Sequence, residues 1–277
     1  MNQKIYTDTN ALRYFGTAFA SASLAEDLRD QLLLAPFAVM ELLSQLGTGG
    51  AKESFAAVKA LPRVHNPSAT GMLPWPDDSF RMSLFRLPPG RDVVTPAMNN
   101  AILNVLDAAS PEDVKKDGEE IRALLDAAKQ QSAEEFSDVL NARRTEGPLP
   151  EQEHKAIFAR SVARQAGTDE CAVDVDFVVD SLNAFYVFES TRMRIGAESR
   201  EYNVNRRCND IYDAELLVYL SDPTLHLLTS DKGFRRAEKS PQFSRVHIVE
   251  PGCLRDAERA ERVIREILGK GGSVVSH

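Results

Sequence analysis

The rhythm of apolar positions changes twice along this chain. Lys4 to Thr7 reads as a short strand that runs straight into a helix, because Leu12, Phe15 and Phe19 then recur at helical spacing. Ser23-Leu-Ala-Glu26 has the form of a capping box, in which a serine hydroxyl and a glutamate three residues on satisfy the orphan amides of a helix start. The apolar run Leu32 to Met40 contains Pro36, which suits the first turn of a helix carrying Met40, Glu41, Leu42 and Leu43. Gly47 to Gly50 breaks that helix, Ala51 to Ala60 is helical again, and Arg63 to His65 has the texture of a short strand.

From Asn66 to Thr95 the periodicity is lost. Pro67, Pro74, Pro76, Pro88 and Pro89, with Gly71 and Gly90, predict a long irregular excursion, and the single tryptophan, Trp75, lies between two of these prolines. Helical signals then return in series. Thr95-Pro96 and Ser110-Pro111 open two helices, Ser132-Ala-Glu-Glu135 has the form of a second capping box, and Ile157 to Val162 marks a fourth helix. A fifth begins at Asp174-Val-Asp176 and carries Val175, Val178, Val179, Leu182, Phe185 and Tyr186. The last stretch alternates again: an amphipathic helix from Asp210 to Leu220, strands at His226–Thr229 and Val246–Val249, and a terminal helix from Leu254 to Leu268 with a Gly-Ser tail.

Strand–helix units at both ends therefore bracket a middle that supplies only loops and helices. This layout predicts the α/β class: a three-layer α/β/α domain with a central, mainly parallel sheet. Residues 1–65 and 206–250 would form it around a loop and helical insertion at 66–205, with 251–277 as a C-terminal helix and tail.

Composition narrows the class further. At 277 residues, 43% hydrophobic and 27% charged, the chain is neither disordered nor collagen-like, and its length buries enough surface to fold without disulfides or structural metal. Lys plus Arg numbers 33 against 41 for Asp plus Glu, so a net charge of −8 argues against a surface coated in basic residues for non-specific nucleic-acid binding. A local basic groove is compatible with it. Cys171, Cys208 and Cys253 form no CxxC pair, which fits a thiol-reducing cytosol and disfavours a Cys-ligated zinc site. No signal-peptide pattern opens the chain and Leu32–Met40 is too short to span a bilayer, so the expectation is a soluble, cytoplasmic protein with no membrane partner.

Four acidic residues stand where chemistry would want them. Asp8 directly follows the first strand and Asp231 follows the strand ending at Thr229, and ligands of open α/β sheets bind at the carboxyl ends of strands. Asp213 lies in the helix before that second strand, and Glu41 interrupts an apolar helix. Each has a structural alternative: Asp8 as a helix N-cap, Asp213 as an exposed helix residue, Glu41 as a carboxylate paired elsewhere. As a set they need protons, basic partners or a divalent cation, because two like charges ~4 Å apart repel by about 4 kcal/mol at an effective dielectric of about 20. An oxygen-rich, histidine-free set suits Mg²⁺ or Mn²⁺, and such ions assist phosphoryl-ester hydrolysis.

Tyr6-Thr-Asp8-Thr-Asn10, Val39-Met-Glu41-Leu-Leu43, Asp213-Ala-Glu-Leu-Leu217 and Thr229-Ser-Asp231-Lys-Gly-Phe234 occur in that order, with eighteen residues from 213 to 231. This series resembles the PIN domain, a metal-dependent ribonuclease fold best known from toxin–antitoxin pairs. The resemblance covers roughly residues 1–65 and 206–250, and compact members of the family lack an insertion of this size. It implies an Mg²⁺- or Mn²⁺-dependent endoribonuclease in which Asp8, Glu41, Asp213 and Asp231 hold the metal and position a hydroxide. Asn10 and Thr229 would orient a ligand or a metal-bound water, and Asp210 would be either an additional ligand or a helix cap. A toxin role would bring an antitoxin partner covering the acidic pocket, while the inserted helices could hold that partner, form a homodimer surface or choose among RNAs. DNA remains an alternative substrate, and a non-catalytic PIN-like scaffold binding a partner is the alternative function.

Arg206 and Arg207 before Asp213, and Lys232, Arg235 and Arg236 after Asp231, either grip phosphates or are solvated helix ends. Trp75 either stacks a base or belongs to a rigid loop packed on the domain. The glycines at 47–50 with Lys52 do not match a phosphate-binding loop, and neither GxSxG nor HExxH is present, which disfavours serine and zinc hydrolases.

Overall fold

A computed structural model describes residues 3–66, 72–90, 94–199, 202–204 and 209–270. In chain order the elements are β1 (Lys4–Thr7), α1 (Thr9–Ala18), α2 (Glu26–Arg29), β2 (Leu32–Leu34), α3 (Pro36–Ser44) and α4 (Ala51–Val64). The middle holds α5 (Pro76–Ser79), which passes into a π-helical turn, α6 (Thr95–Asp107), α7 (Lys115–Glu146), α8 (Glu151–Gln165), α9 (Val175–Ser181) and α10 (Asn183–Glu198). Then follow α11 (Asn209–Leu216), β3 (Leu225–Thr229), β4 (Val246–Ile248), α12 (Pro251–Leu254) and α13 (Ala257–Lys270).

The fold is α/β, and the four strands among the described residues are all parallel in the order β2-β1-β3-β4. Ile5, Tyr6, Leu227 and Leu228 have no exposed surface, as expected of strands covered on both faces. The two chain ends share this sheet, since β1 pairs with β3 from Lys4 opposite Leu225 to Thr7 opposite Leu228. Leu12 and Phe15 of α1 and its C-cap Phe19 are buried, and the helix meets α4 so closely that a Cβ on Gly16 would lie 2.5 Å from the Ala57 Cα.

The third strand is not where the residue texture placed it. Arg63 to His65 is the end of α4 and its cap, while Leu32–Leu34 is the edge strand β2. Three leucines buried together show no alternation, so the apolar run cannot be divided by period into strand and helix. Neither predicted capping box opens a helix: α2 starts at Glu26 without a side-chain cap, and α7 runs through Ser132–Glu135 uninterrupted. There Glu134 and Glu135 accept hydrogen bonds from Gln130 and Gln131 one turn earlier, so the pattern belongs to a solvated helix face. The helix expected from Val175 to Tyr186 is broken at Leu182 into α9 and α10. Ser110 does form a capping box with Asp113, and Asp174 caps α9.

The inserted helices share the core of the sheet. Met98 and Val105 of α6, Ile121 and Leu125 of α7, and Phe188 of α10 belong to the same buried cluster as Ile5 and Leu227. A smaller cluster joins Phe80, Val162, Val178 and Leu182. Trp75 is half-buried, edge-on to Phe37 at 5.0 Å, with its indole N–H donating to Thr95 Oγ1 at 3.0 Å, as a packed loop requires. No helix among the described residues is long and apolar enough to cross a membrane.

Candidate functional site

The sheet register builds the centre of the site. Thr7 ends β1 opposite Leu228, so the next residues along, Asp8 and Thr229, face each other at the carboxyl ends of the two central strands. The Thr229 hydroxyl donates to Asp8 Oδ2 at 2.7 Å and accepts the Asp231 backbone N–H at 2.9 Å. Asp8 Oδ1 accepts the Ala11 N–H at 2.9 Å, capping α1, and Asp231 Oδ1 accepts the Gly233 N–H at 2.6 Å. Being a cap and lining a site are therefore compatible at Asp8. One oxygen orders the helix start and the other faces the neighbouring strand.

Glu41 on α3 and Asp213 on α11 complete the set, and all four carboxylates line one cavity of about 220 Å³. Thr9, Asn10, Arg13, Phe37 and Tyr212 also border it. The Thr9 hydroxyl donates to Glu41 Oε2 at 2.5 Å, which supplies the partner that a carboxylate on an apolar helix needs. Asn10 uses its side-chain oxygen to accept from Arg13 Nη1 at 3.0 Å.

Electrostatics report the crowding. Burial pushes the Asp8 carboxyl up to about 6; the Ala11 amide and Thr229 hydroxyl oppose the shift, and Asp231 and Glu41 add to it. Burial also raises Asp213 well above the carboxylate range, and there Asp231, Asp8, Asp210 and Glu41 all push the same way. Asp210 lies at the start of α11, its Oδ2 3.0 Å from Arg236 Nη1. The donor set is carboxylate oxygen throughout, which matches the hard-ligand chemistry of Mg²⁺ and Mn²⁺. Among the described residues, however, no three acidic, His or Cys side chains are already grouped so that they could hold an ion. Asp8, Asp231 and Glu41 each have at least one oxygen engaged by a protein donor.

The basic residues divide. Arg206 and Arg207 lie outside the described residues. Lys232 and Arg235 are exposed, with Lys232 Nζ 3.7 Å from Glu250. Arg236 is instead drawn inward to Asp210 and over the Phe188 ring, so it is poorly placed to grip a phosphate. Thr9, Arg13 and Tyr212 were not singled out from sequence. Arg13 falls one helical turn after Thr9, and its Nε has no hydrogen-bond partner among the described residues. Helical spacing from the Asp8 cap was the one signal that could have found it.

Without a cation, Asp8 gives stability a pH dependence of defined sign. Its folded value of about 6 lies above the ordinary 3.8. The associated stability is therefore fully present below the ordinary value and is lost as pH rises through the folded one, about 3 kcal/mol in all. About 2 kcal/mol of this should appear between roughly pH 4.5 and 7.5 as a difference between wild type and Asp8→Asn in urea denaturation with EDTA. Parallel stability curves for the two proteins would show that the carboxyl is not perturbed.

Comparison of the chain with family models, curated proteins and solved structures finds no match.

Proposed function

We propose that this cavity is the centre of a divalent-metal-dependent phosphodiesterase that cleaves RNA, on a PIN-like, three-layer α/β/α arrangement. The observation that carries the reading is the convergence of Asp8, Glu41, Asp213 and Asp231 on one cavity at the carboxyl ends of β1 and β3. These four residues would hold Mg²⁺ or Mn²⁺, and their mutual repulsion at Asp8 and Asp213 is of the kind a cation relieves. When bound, such an ion neutralises charge on the phosphodiester and activates water for in-line attack.

The chain's own residues supply position. Thr229 ties Asp8 to the backbone that carries Asp231, so one hydroxyl sets the relative placement of two carboxylates. Arg13, at the cavity, offers a planar fork for phosphate oxygens. Leu125 of α7 borders the same cavity and its carbonyl accepts from the Tyr212 hydroxyl at 3.4 Å. That contact favours substrate choice or support of the site as the insertion's role, ahead of binding an antitoxin or forming a homodimer.

Purified protein with Mn²⁺ should cleave single RNA chains, and Asp231→Asn should not. Thr229→Val should slow cleavage by about 10- to 100-fold and raise the Mn²⁺ needed for half-maximal rate, with Thr229→Ser restoring both. A valine variant with wild-type metal dependence would remove Thr229 from the positioning role. The second reading, a non-catalytic scaffold, draws on the absence among the described residues of three side chains already grouped for an ion. It predicts no cleavage of RNA or DNA under any divalent ion.

A further inference from the structure

A second and larger cavity, about 800 Å³, lies among α7, α8, α10 and α11, and the acidic cavity does not account for it. The two cavities lie against different sides of α11: Ile211 and Glu215 line the larger one, whereas Tyr212, Asp213 and Leu216 line the acidic one. Its volume is that of a small-molecule site. Phe136, Val139, Leu149, Ile157, Phe158 and Met193 supply apolar wall, and of these Val139 and Ile157 are 43% and 41% exposed. A ligand with an apolar body would gain by covering both.

Charged residues also line the cavity, and most of them are answered within the protein. Glu189 pairs with Arg192 at 2.6 Å, Glu151 with Lys155 at 3.2 Å and Glu198 with Arg194 at 3.4 Å. Burial pushes the Glu215 carboxyl up to about 8, so it is mostly neutral at pH 7. Arg144 is turned onto the end of α10, donating to the Gly196 and Ser199 carbonyls at 2.8 Å. Glu135 accepts from Gln131 one turn earlier on α7.

Arg143 is the exception. Its side chain is 17% exposed, and its contact with Glu146, at 3.9 Å, is too long for a hydrogen bond. Glu146 is itself 69% exposed, where solvent screening leaves it little power to offset the charge. Glu135 stands eight residues away on the same helix, about 12 Å at helical rise, too far to serve. None of the Arg143 nitrogens is sealed away without a partner, so the guanidinium opens to the cavity. His154, in the first turn of α8, lines the same space with its Nδ1 3.4 Å from the Tyr186 hydroxyl. Burial and then the Arg143 charge hold its imidazole below the ordinary value, a like-charge conflict that a bound anion would relieve.

A cation would be repelled at this corner, and a neutral apolar ligand would leave Arg143 unanswered. A dianion such as a phosphate monoester brings one charge more than Arg143 offsets. A carboxylate fits, because its two oxygens can accept parallel hydrogen bonds from one guanidinium while an apolar body covers the wall beyond. We propose that the cavity among α7, α8, α10 and α11 binds an amphipathic monocarboxylate, its charged end on Arg143 and His154 and its apolar body between α7 and α8.

Such an acid could be aliphatic or aromatic, and octanoate and 3-phenylpropanoate separate these sources, each set against its own uncharged amide. The full chain is titrated with all four compounds by calorimetry at pH 7. At least one acid should bind saturably with Kd below ~1 mM, and its amide at least about 10-fold more weakly. Preference for octanoate identifies an aliphatic source, and preference for 3-phenylpropanoate an aromatic one. Arg143→Gln should weaken the acid at least about 10-fold and remove its advantage over the amide. Ile157→Trp fills the cavity from an exposed helix position and should weaken the acid by a similar factor, while Asp8→Asn should leave binding unchanged. No saturable binding of either acid up to ~5 mM, or equal affinity of acid and amide for wild type, overturns the proposal. So does wild-type affinity in folded Arg143→Gln or Ile157→Trp, or loss of binding in Asp8→Asn, which would place the ligand in the acidic cavity instead.

Discussion

Asp8→Asn is expected to lower the rate of metal-dependent RNA cleavage by at least about 1,000-fold while leaving the fold intact, a loss of about 4 kcal/mol of transition-state stabilisation from removing a residue proposed to hold the metal. The reasons are local. Asp8 is buried at the carboxyl end of β1, beside β3, and its Oδ2 accepts from the Thr229 hydroxyl. The substituted amide keeps the oxygen that caps α1 through the Ala11 N–H, so the helix start survives. Removing the charge ends the desolvation of a buried carboxylate and, as a smaller effect, the repulsion it exerts at Asp213, which should make the cation-free variant more stable than wild type at neutral pH. Lost cleavage with gained stability is a pairing that a mere folding defect cannot produce. Equal cleavage by wild type and variant would assign the activity to a contaminant or another site.

The second large effect is on stability alone. Gly16→Ala should destabilise the protein by about 3 kcal/mol, the upper end of overpacking, despite alanine's better helix propensity. A Cβ there would meet the Ala57 Cα at 2.5 Å and its backbone nitrogen at 2.6 Å. Backbone atoms cannot turn away as a side chain can, so α1 and α4 would have to separate and take the site's Asp8 cap with them. Gly252→Ala in α12, where nothing lies within 4 Å, is the matched control and should change the urea midpoint little. A Gly16→Ala midpoint equal to the control's would mean that the two helices are not in backbone contact.

What could be read in advance follows from how each feature is encoded. β1, β3 and β4, the helices around them and the joining of both chain ends in one sheet were legible, because each strand stands between turn signals and a helix. β2 was not, since Leu32–Leu34 is continuous with the apolar residues of α3 and only pairing with β1 makes it a strand. The false capping boxes show the same limit: Ser132 and Glu135 lie inside α7, where packing of Ile121, Leu125, Phe136 and Leu140 outweighs a local start signal. Of the residues that line the acidic cavity, Asp8, Glu41, Asp213 and Asp231 were legible as chain positions after strands or on helices. Thr9, Arg13 and Tyr212 were not, because their part depends on which helix face meets the cavity. Arg236 looked available by charge, and only the fold reveals Asp210 and Phe188 waiting for it.

The four converging carboxylates are proposed to form a cation site. Calorimetric titration of the full chain with Mn²⁺ tests it most directly, comparing wild type with Asp213→Asn, whose carboxylate feels every other acid of the cavity. Wild type should bind Mn²⁺ saturably with competition by Mg²⁺, and the variant should lose at least about 10-fold in affinity, the lower end of what even an outer-shell partner of a metal ligand costs. Mn²⁺ binding that is absent, or equal in the two proteins, would contradict it.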